Sequence, residues 1–228
     1  MGLGNIMVLG QVIAFLMSFI FSFFIFVPIS VNLNEFNGNC LLYASGTWNT
    51  SKGSSYLTGI SWGPSSACNF SVFVGVVVML LSCFYIVWHS MYLCRGIDSS
   101  WLAAFLTCIL CIVISIILFA SALTVSVGFK EWCHLLTLPE AQIESCEDGQ
   151  YLIFLPPTLK IDTSQYYTEM EMAQFGLWTT WICWVIVSMM SVIRMYSFNR
   201  EEAFLTSMDR ERQRLLQRWQ PSSQYEQI

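Results

Sequence analysis

Residues 101–128, WLAAFLTCILCIVISIILFASALTVSVG, form the stretch that decides the fold, since they contain no Asp, Glu, Lys or Arg. An α-helix needs about 20 mostly apolar residues to cross the hydrocarbon core of a bilayer. Three further apolar runs of sufficient length are 8–30, 71–93 and 173–196. The sequence therefore predicts an all-α integral membrane protein, folded as a four-transmembrane-helix bundle.

The composition excludes a soluble globule. Charged residues make up 11% of the chain and hydrophobic residues 55%, whereas about 25% of residues in a soluble domain are charged. No basic residue precedes the first run and no A-x-A pattern follows it, so it is interpreted as a retained span rather than a signal peptide. The predicted membrane domain is 1–198, with outer loops 31–70 and 129–172, and the tail is 199–228.

Basic residues indicate the orientation. All seven Arg residues fall in the short connection that begins at Arg95 or in the segment from Arg194 onward. Arg and Lys mark the cytoplasmic side, so both termini are predicted to be cytosolic and both long loops to be outer or lumenal. This fits the plasma membrane or secretory and vesicular membranes. Residues 130–171 contain eight acidic residues and two lysines, a net charge of −6. Aromatic rings favour the headgroup region, which places Trp132 and Tyr166 at the outer interface.

Four of the nine cysteines fall in the two outer loops. Cys40 and Cys68 lie in the first loop, and Cys133 and Cys146 lie in the second. Cysteines in an oxidising compartment form disulfides, so two disulfide-braced extracellular loops are predicted, each closed by its own pair. Four cysteines allow three connectivities, which leaves a cross-loop pairing as the alternative.

Three side chains are candidate modification sites. Asn49 and Asn69 each begin an N-x-Ser/Thr glycosylation pattern. Asn49 lies in the middle of the first outer loop, whereas Asn69 lies almost at the start of the second span, where the glycosylation machinery would reach it poorly. Cys94, at the cytoplasmic end of the second span, is a candidate palmitoylation site.

Small residues recur every four positions along the third span. The first row is Ala103, Thr107, Cys111 and Ser115, and a second row is Ala120, Thr124 and Gly128. In a membrane, small side chains let another helix backbone approach closely. The rows are interpreted as packing inside this protein's own bundle, with contact to a partner's helix as the alternative.

The tail is predicted to contain an amphipathic cytosolic helix. Asn199 is its predicted N-cap and Pro221 its predicted end. The helix is either a solvated continuation of the fourth span or a surface for anionic lipid or a partner. The last residues, which include Tyr225 and Ile228, match a tyrosine-based sorting signal and a ligand for a PDZ-type groove.

The sequence shows no pattern for catalysis or transport. It contains no Ser-His-Asp set, HExxH, Walker loop or paired-carboxylate arrangement. No cofactor, metal or nucleic-acid pattern is present, and no small-molecule substrate is indicated. Transporters keep ionisable groups at mid-membrane, but the one titratable candidate here is His89, which is interpreted as an interfacial residue near the inner end of the second span.

Short motifs throughout the chain resemble those of the transmembrane protein 179 family. They are FNGNCLLY (36–43), WGP (62–64), ACNFS (67–71), VSVGF (125–129) and AQFGLW (173–178). The resemblance extends to about residue 202 and implies a tetraspan membrane protein. The layout is also similar to that of claudins and related tetraspan regulators of channels and receptors. The claudin loop signature, a Trp followed by two closely spaced cysteines, is absent, since Cys40 precedes both Trp48 and Trp62.

These features favour a non-enzymatic accessory protein that binds another membrane protein, such as a channel or receptor, and tunes its trafficking or gating. The expected partners are the lipid bilayer and either that membrane protein or further copies of this chain. A self-assembling structural or adhesion protein is the alternative. A small oligomeric pore is a third hypothesis.

Epitope tags test the predicted topology directly. We expect tags at residue 1 and after Ile228 to bind antibody only once the plasma membrane is permeabilised. A tag near Gly53 should be labelled on intact cells that carry the protein at their surface. Labelling of either terminus on intact cells would contradict a four-span chain with cytosolic ends.

Overall fold

A computed structural model describes residues 3–51, 54–95, 101–141, 143–151, 155 and 161–219. The elements follow in the order α1 (Leu3–Glu35), β1 (Cys40–Ser51), β2 (Ser54–Gly63), α2 (Ser65–Arg95), α3 (Trp101–Leu136), a 3-10 turn (Asp148–Tyr151) and α4 (Tyr166–Trp219). Four segments are long and apolar enough to cross a membrane: Ile6–Glu35, Ser65–Cys94, Leu102–Leu136 and Tyr166–Ser197. The predicted four-helix membrane bundle is confirmed.

The helices are longer than a bilayer requires. α1 continues to Glu35 and α3 to Leu136, past the predicted span ends at residues 30 and 128. α2 begins at Ser65 and α4 at Tyr166, before the predicted starts at 71 and 173. Hydropathy locates the edge of the hydrocarbon core, which need not be the end of a helix. The helices therefore extend into both predicted outer loops, at 31–35, 65–70, 129–136 and 166–172.

α1 is the helix around which the bundle packs. It contacts both α2 and α4 extensively, whereas α3 packs chiefly against α4. A Cβ atom added at Gly176 of α4 would lie 3.0 Å from the carbonyl carbon of Phe24, and one added at Gly75 of α2 would lie 3.1 Å from Ile25 Cγ2. Because lipid is as apolar as the side chains it replaces, helix association depends on such close approach. Gly75 and Gly176 therefore allow α2 and α4 to approach α1 closely.

Polar side chains join the same three helices inside the bundle. Ser18 of α1 shares a hydrogen bond of 2.9 Å with Ser82 of α2, and Trp184 Nε1 of α4 donates to Ser18 Oγ at 2.7 Å. Gln11 Nε2 of α1 donates to Ser191 Oγ of α4 at 3.1 Å. Polar groups in the hydrocarbon core must find partners within the protein. These bonds therefore oppose sliding of α1 against α2 and α4.

The first outer loop forms an antiparallel β-hairpin, which the sequence analysis did not predict. Trp48 of β1 pairs with Leu57 of β2, and Asn49 pairs with Tyr56. Successive side chains of a strand point to opposite faces. Trp48 and Leu57 pack against the hydrophobic core, whereas Asn49 and Tyr56 are exposed on the outer face. The fold is therefore mostly helical, with one two-stranded sheet.

α4 runs without interruption from Tyr166 to Trp219 and so includes the first part of the predicted tail. Asn199 lies inside this helix, and the predicted N-cap at that position is therefore wrong. Side chains 206–214 are exposed. Contact of the tail with anionic lipid or a partner stays a prediction, and Pro221 lies outside the described residues.

We expect Gly176→Ala to destabilise the bundle, because its Cβ would meet the backbone of Phe24. Overpacking costs about 1–3 kcal/mol, which exceeds the roughly 1 kcal/mol that alanine gains over glycine in a helix. Gly10→Ala is the matched control, since its Cβ would meet only the flexible end of the Met190 side chain. Thermal unfolding in a single detergent should give a lower Tm for Gly176→Ala alone. Equal Tm values for the two variants would contradict the close α1–α4 contact.

Candidate functional site

The end of the bundle that carries both long loops forms a layer of protein, here called the cap. It comprises the described residues of 32–68, 128–151 and 161–170. These residues include the hairpin, the ends of α1 and α3, and the first turn of α4. The cap is the part of the molecule in which the predicted disulfides and glycosylation sites come together.

Two disulfides cross the cap. One bonds Cys40 at the start of β1 to Cys68 in the first turn of α2, with Cα atoms 5.9 Å apart. The other bonds Cys133 in the last turn of α3 to Cys146 in the following loop, with Cα atoms 5.1 Å apart. Both are the within-loop pairings that the sequence analysis favoured. Each ties a loop to the helix that adjoins it.

An aromatic cluster fills the centre of the cap. Trp62 of β2 stacks on Trp132 of α3 with centroids 6.3 Å apart, and Phe36 meets Trp62 edge-on at 5.8 Å. Tyr166 of α4 meets Trp132 edge-on at 6.2 Å. Stacked and edge-on ring pairs contribute about 0.5–1.5 kcal/mol beyond burial. Trp132 and Tyr166 are completely buried, so their rings pack inside the cap rather than contacting lipid headgroups, and their predicted depth near the outer interface stays a prediction.

The hairpin docks on the end of α3. Trp48 Nε1 donates to the carbonyl oxygen of Leu135 at 2.9 Å. Gly128 leaves room for the hairpin, since a Cβ there would lie 2.8 Å from Leu42 Cβ and 2.9 Å from Tyr43 Cε2. Tyr43 has a φ of 64°, a left-handed conformation uncommon for a bulky residue. The last member of the second small-residue row thus receives a hairpin rather than a helix.

The second loop is attached to the start of α4. The Tyr166 hydroxyl donates a hydrogen bond to the carbonyl oxygen of Cys146. Ser145 Oγ donates to the Asp148 carboxylate at 2.7 Å and accepts from the Asp148 backbone N–H at 3.2 Å. Cys146 is therefore held from two sides, by its disulfide to α3 and by the hydrogen bond from Tyr166 of α4.

The predicted modification sites lie in three different places. Asn49 is exposed on the outer face of the hairpin, and Asn69 is exposed in the first turn of α2. Cys94 is exposed near the end of α2. Modification of each stays a prediction. Tyr225 and Ile228 lie outside the described residues.

The small-residue row of α3 extends along two cavities. Cys111 is completely buried, and Ser115 lines a groove between α3 and α4. Ala103 and Thr107 line a small polar pocket with residues of the other three helices, namely Gln11, Trp88, His89, Tyr92, Ser191 and Arg194. Cys111 therefore lies inside the bundle, whereas Ser115 borders the open groove. Whether the row as a whole packs within the bundle or against a partner's helix stays a prediction.

His89 lies in this pocket and is buried rather than interfacial. Its side chain is 4% exposed, and its Nδ1 lies 3.0 Å from the carbonyl oxygen of Tyr85. Within the described part of the chain, no group of three or more His, Cys, Asp or Glu side chains is arranged to hold a metal ion.

The groove between α3 and α4 has a volume of about 480 Å³ and opens to the lipid side of the bundle. Ser115 and Ser188 are its two polar residues, and Ser188 Oγ donates to the carbonyl oxygen of Trp184 at 2.8 Å. Its remaining walls are apolar and are formed by Ile112, Ile116, Val185, Met189, Val192 and Ile193.

Four spans, a disulfide-fixed cap and a mostly helical bundle define a tetraspan membrane protein. The chain belongs to the family described as Transmembrane protein 179/179B Claudin domain, whose family model matches residues 7–216. It is 25% identical to Transmembrane protein 179B of Danio rerio over 171 residues, which cover 74% of each chain. No solved structure matches it. The resemblance drawn from the loop motifs is confirmed, and the claudin-like layout holds without the claudin loop signature.

Loss of the Cys40–Cys68 bond should prevent export from the cell. Cys40→Ser leaves Cys68 unpaired in an oxidising compartment, and loss of a native bridge typically costs about 2–5 kcal/mol. We expect each single variant to be retained inside the cell and the double variant to be no worse than either. Cys133 and Cys146 should behave as an independent pair. Surface biotinylation measures export, and non-reducing peptide mapping that links Cys40 to Cys133 or Cys146 would contradict the pairing.

Proposed function

We propose that this protein is a non-enzymatic accessory subunit of another membrane protein and that it tunes the trafficking or gating of that partner. Membership of the family supports a claudin-like membrane protein, and the accessory role is our extension. The observation that supports it most is the groove between α3 and α4, which is open to the side from which a partner's transmembrane helix would arrive.

Because the interior of one chain is packed, the small oligomeric pore would have to form between copies of the chain. Phe15 stacks on Tyr85 with centroids 4.9 Å apart and meets Trp184 edge-on at 5.5 Å, so these rings fill the space among α1, α2 and α4. Ser18 hydrogen-bonds to Ser82 and Trp184 rather than facing an aqueous path. A chain whose interior is filled in this way would act on a partner through its outer surface.

A transmembrane helix of a partner is the proposed occupant of the groove. Ser115 and Ser188 are small, and small residues at a helix interface allow a second backbone to approach closely. Ser188 already donates its hydrogen bond within α4, so a partner helix need supply only dispersion contacts there. A lipid acyl chain is the competing occupant. If lipid rather than a partner's helix occupies the groove, a substitution that fills the groove should leave partner binding unchanged.

The outer face of the hairpin is less suited to direct adhesion. Asn49 is exposed there beside Tyr56, and a glycan on Asn49 would cover the face. Glycosylation of Asn49, which stays a prediction, therefore favours contact through the membrane spans over contact between cells through the cap.

Filling the groove tests the accessory role. We expect Ser115→Leu to weaken recovery of a stoichiometric membrane partner in native detergent purification followed by mass spectrometry. Overpacking by about 1–3 kcal/mol corresponds to roughly 5- to 150-fold weaker association. Thr124→Leu is the control, because nine residues along a helix place Thr124 on the opposite face of α3. Equal partner recovery by both variants would contradict docking in this groove.

A glycan placed on the hairpin tests the adhesion alternative. Tyr56→Asn creates an acceptor pattern with Leu57 and Thr58 on the outer face, whereas Tyr56→Gln changes the same side chain without one. The accessory proposal expects partner recovery to be the same for both variants. Loss of homotypic association by Tyr56→Asn alone, with no foreign partner recovered from the native chain, would instead support a self-assembling adhesion protein.

A further inference from the structure

The contact between the end of α1 and the first turn of α4 contains oxygen atoms without hydrogen-bond donors. Asn32 is 1% exposed and Glu169 is 8% exposed. Asn32 Nδ2 donates to Glu169 Oε2 at 3.2 Å. Glu35 lies one turn after Asn32, so residues 32 and 35 occupy the same side of α1. The three side chains lie in the cap, separate from the α3–α4 groove.

Two of these oxygens have no partner among the described residues. Asn32 Oδ1 and Glu35 Oε2 are both buried and accept no hydrogen bond. A buried acceptor without a donor loses its hydration and gains nothing in return. Rotation of the Asn32 amide does not resolve this, because it would place Oδ1 against the Glu169 carboxylate and lose the existing bond.

The surroundings are negatively charged. Among the described charged groups, Glu35 and Asp162 interact electrostatically with Glu169. Asp162 also interacts electrostatically with Glu35. Backbone and side-chain hydrogen bonds from Ser164 hold the pKa of Asp162 below its usual value, so Asp162 stays ionised at neutral pH. Glu35 and Glu169 therefore lie within electrostatic range of each other and of the negative charge of Asp162.

We propose that Asn32 Oδ1 and the carboxylates of Glu35 and Glu169 bind a divalent cation, with Ca²⁺ as the best match. Ca²⁺ takes six to eight oxygen ligands, including carboxylates, amide carbonyls and water. The set has two carboxylates and one amide oxygen, and water would complete the shell. A cation would neutralise the carboxylates of Glu35 and Glu169 and would give the unpartnered oxygens a positively charged partner. It also fastens the end of α1 to the start of α4.

The ligand set predicts weak binding. Sites in extracellular modules have dissociation constants of about 10⁻⁴–10⁻³ M, and a site with two carboxylates and several waters belongs to that range. The disulfides of the cap indicate an oxidising compartment, in which such an affinity is useful because Ca²⁺ there is more concentrated than in the cytosol. The inference holds whether or not a partner helix occupies the groove.

Calcium-dependent thermal stability of the purified full-length protein tests the site. At neutral pH and constant ionic strength, we expect 10 mM Ca²⁺ to raise the Tm by about 3–6 °C, with half of the effect at roughly 0.1–1 mM. Glu169→Gln and Glu35→Gln should each remove this response, because each loses one negative ligand while keeping its shape. Glu171→Gln is the control, since Glu171 is exposed two residues along α4, and it should keep the full response.

Three results would overturn the proposal. A native protein whose Tm does not respond to Ca²⁺ has no such site. A response that persists in both Glu35→Gln and Glu169→Gln assigns the cation to the acidic residues of the second loop instead. If Glu169→Gln raises the Tm without Ca²⁺ and the native Tm rises on mild acidification alone, a shared proton rather than a cation joins the two carboxyls. Glu35 is only half-buried, so Glu35→Gln provides a folded variant even if Glu169→Gln unfolds.

Discussion

The close contact of α1 with Gly75 and Gly176 is the constraint on which the rest of the structure depends. In a bilayer, two apolar helices gain little by leaving lipid, so they associate where their backbones can approach and their few polar groups can pair. Both conditions are met on α1, where Phe24 and Ile25 pack against the glycines and Ser18 bonds to both neighbouring helices. With α1 fixed between α2 and α4, its last turn is delivered to the cap in a defined position.

The cap depends on that position because its aromatic centre is built from separate elements. Phe36 follows α1, Trp62 belongs to β2, Trp132 to α3 and Tyr166 to α4. None of these rings could meet the others if the helices were spaced differently. The disulfides in turn constrain the cap. Once the helices are placed, the Cys40–Cys68 bond limits the position of the hairpin. The positions of the helices in the bundle and of the elements in the cap therefore depend on each other.

The spans and the disulfide partners were predictable because each follows from one strong physical rule. Gaps between charged residues locate the spans, and the side of the membrane on which a cysteine falls limits its partners.

The hairpin was not predictable, because the Ser, Thr and Gly residues of 45–61 suit a loop as well as a strand. The sequence indicated that Trp132 lies at the outer end of the bundle but not that its ring is buried in the cap, since an interfacial ring and a core ring have the same sequence context. Helical spacing showed which residues of α3 are small, but not that Gly75 and Gly176 would meet α1. Asn32 and Glu35 were missed because their significance arises only when Glu169 comes from the far end of the chain.

The unbroken length of α4 has a mechanical consequence. A helix of 54 residues measures about 80 Å at 1.5 Å per residue, and α4 begins under the aromatic centre of the cap and ends beyond the last apolar turn of the bundle. Its contacts with α1 run from Gly176 to the hydrogen bond between Gln11 and Ser191, so α4 is held against α1 over this length. The 28 residues from Ser191 to Trp219 extend about 42 Å beyond the last of these bonds, and a tilt of α4 by roughly 5° would move the far end of this extension by about 4 Å relative to Ser191. A small change in the tilt of α4 within the bundle would in this way become a lateral displacement of the tail.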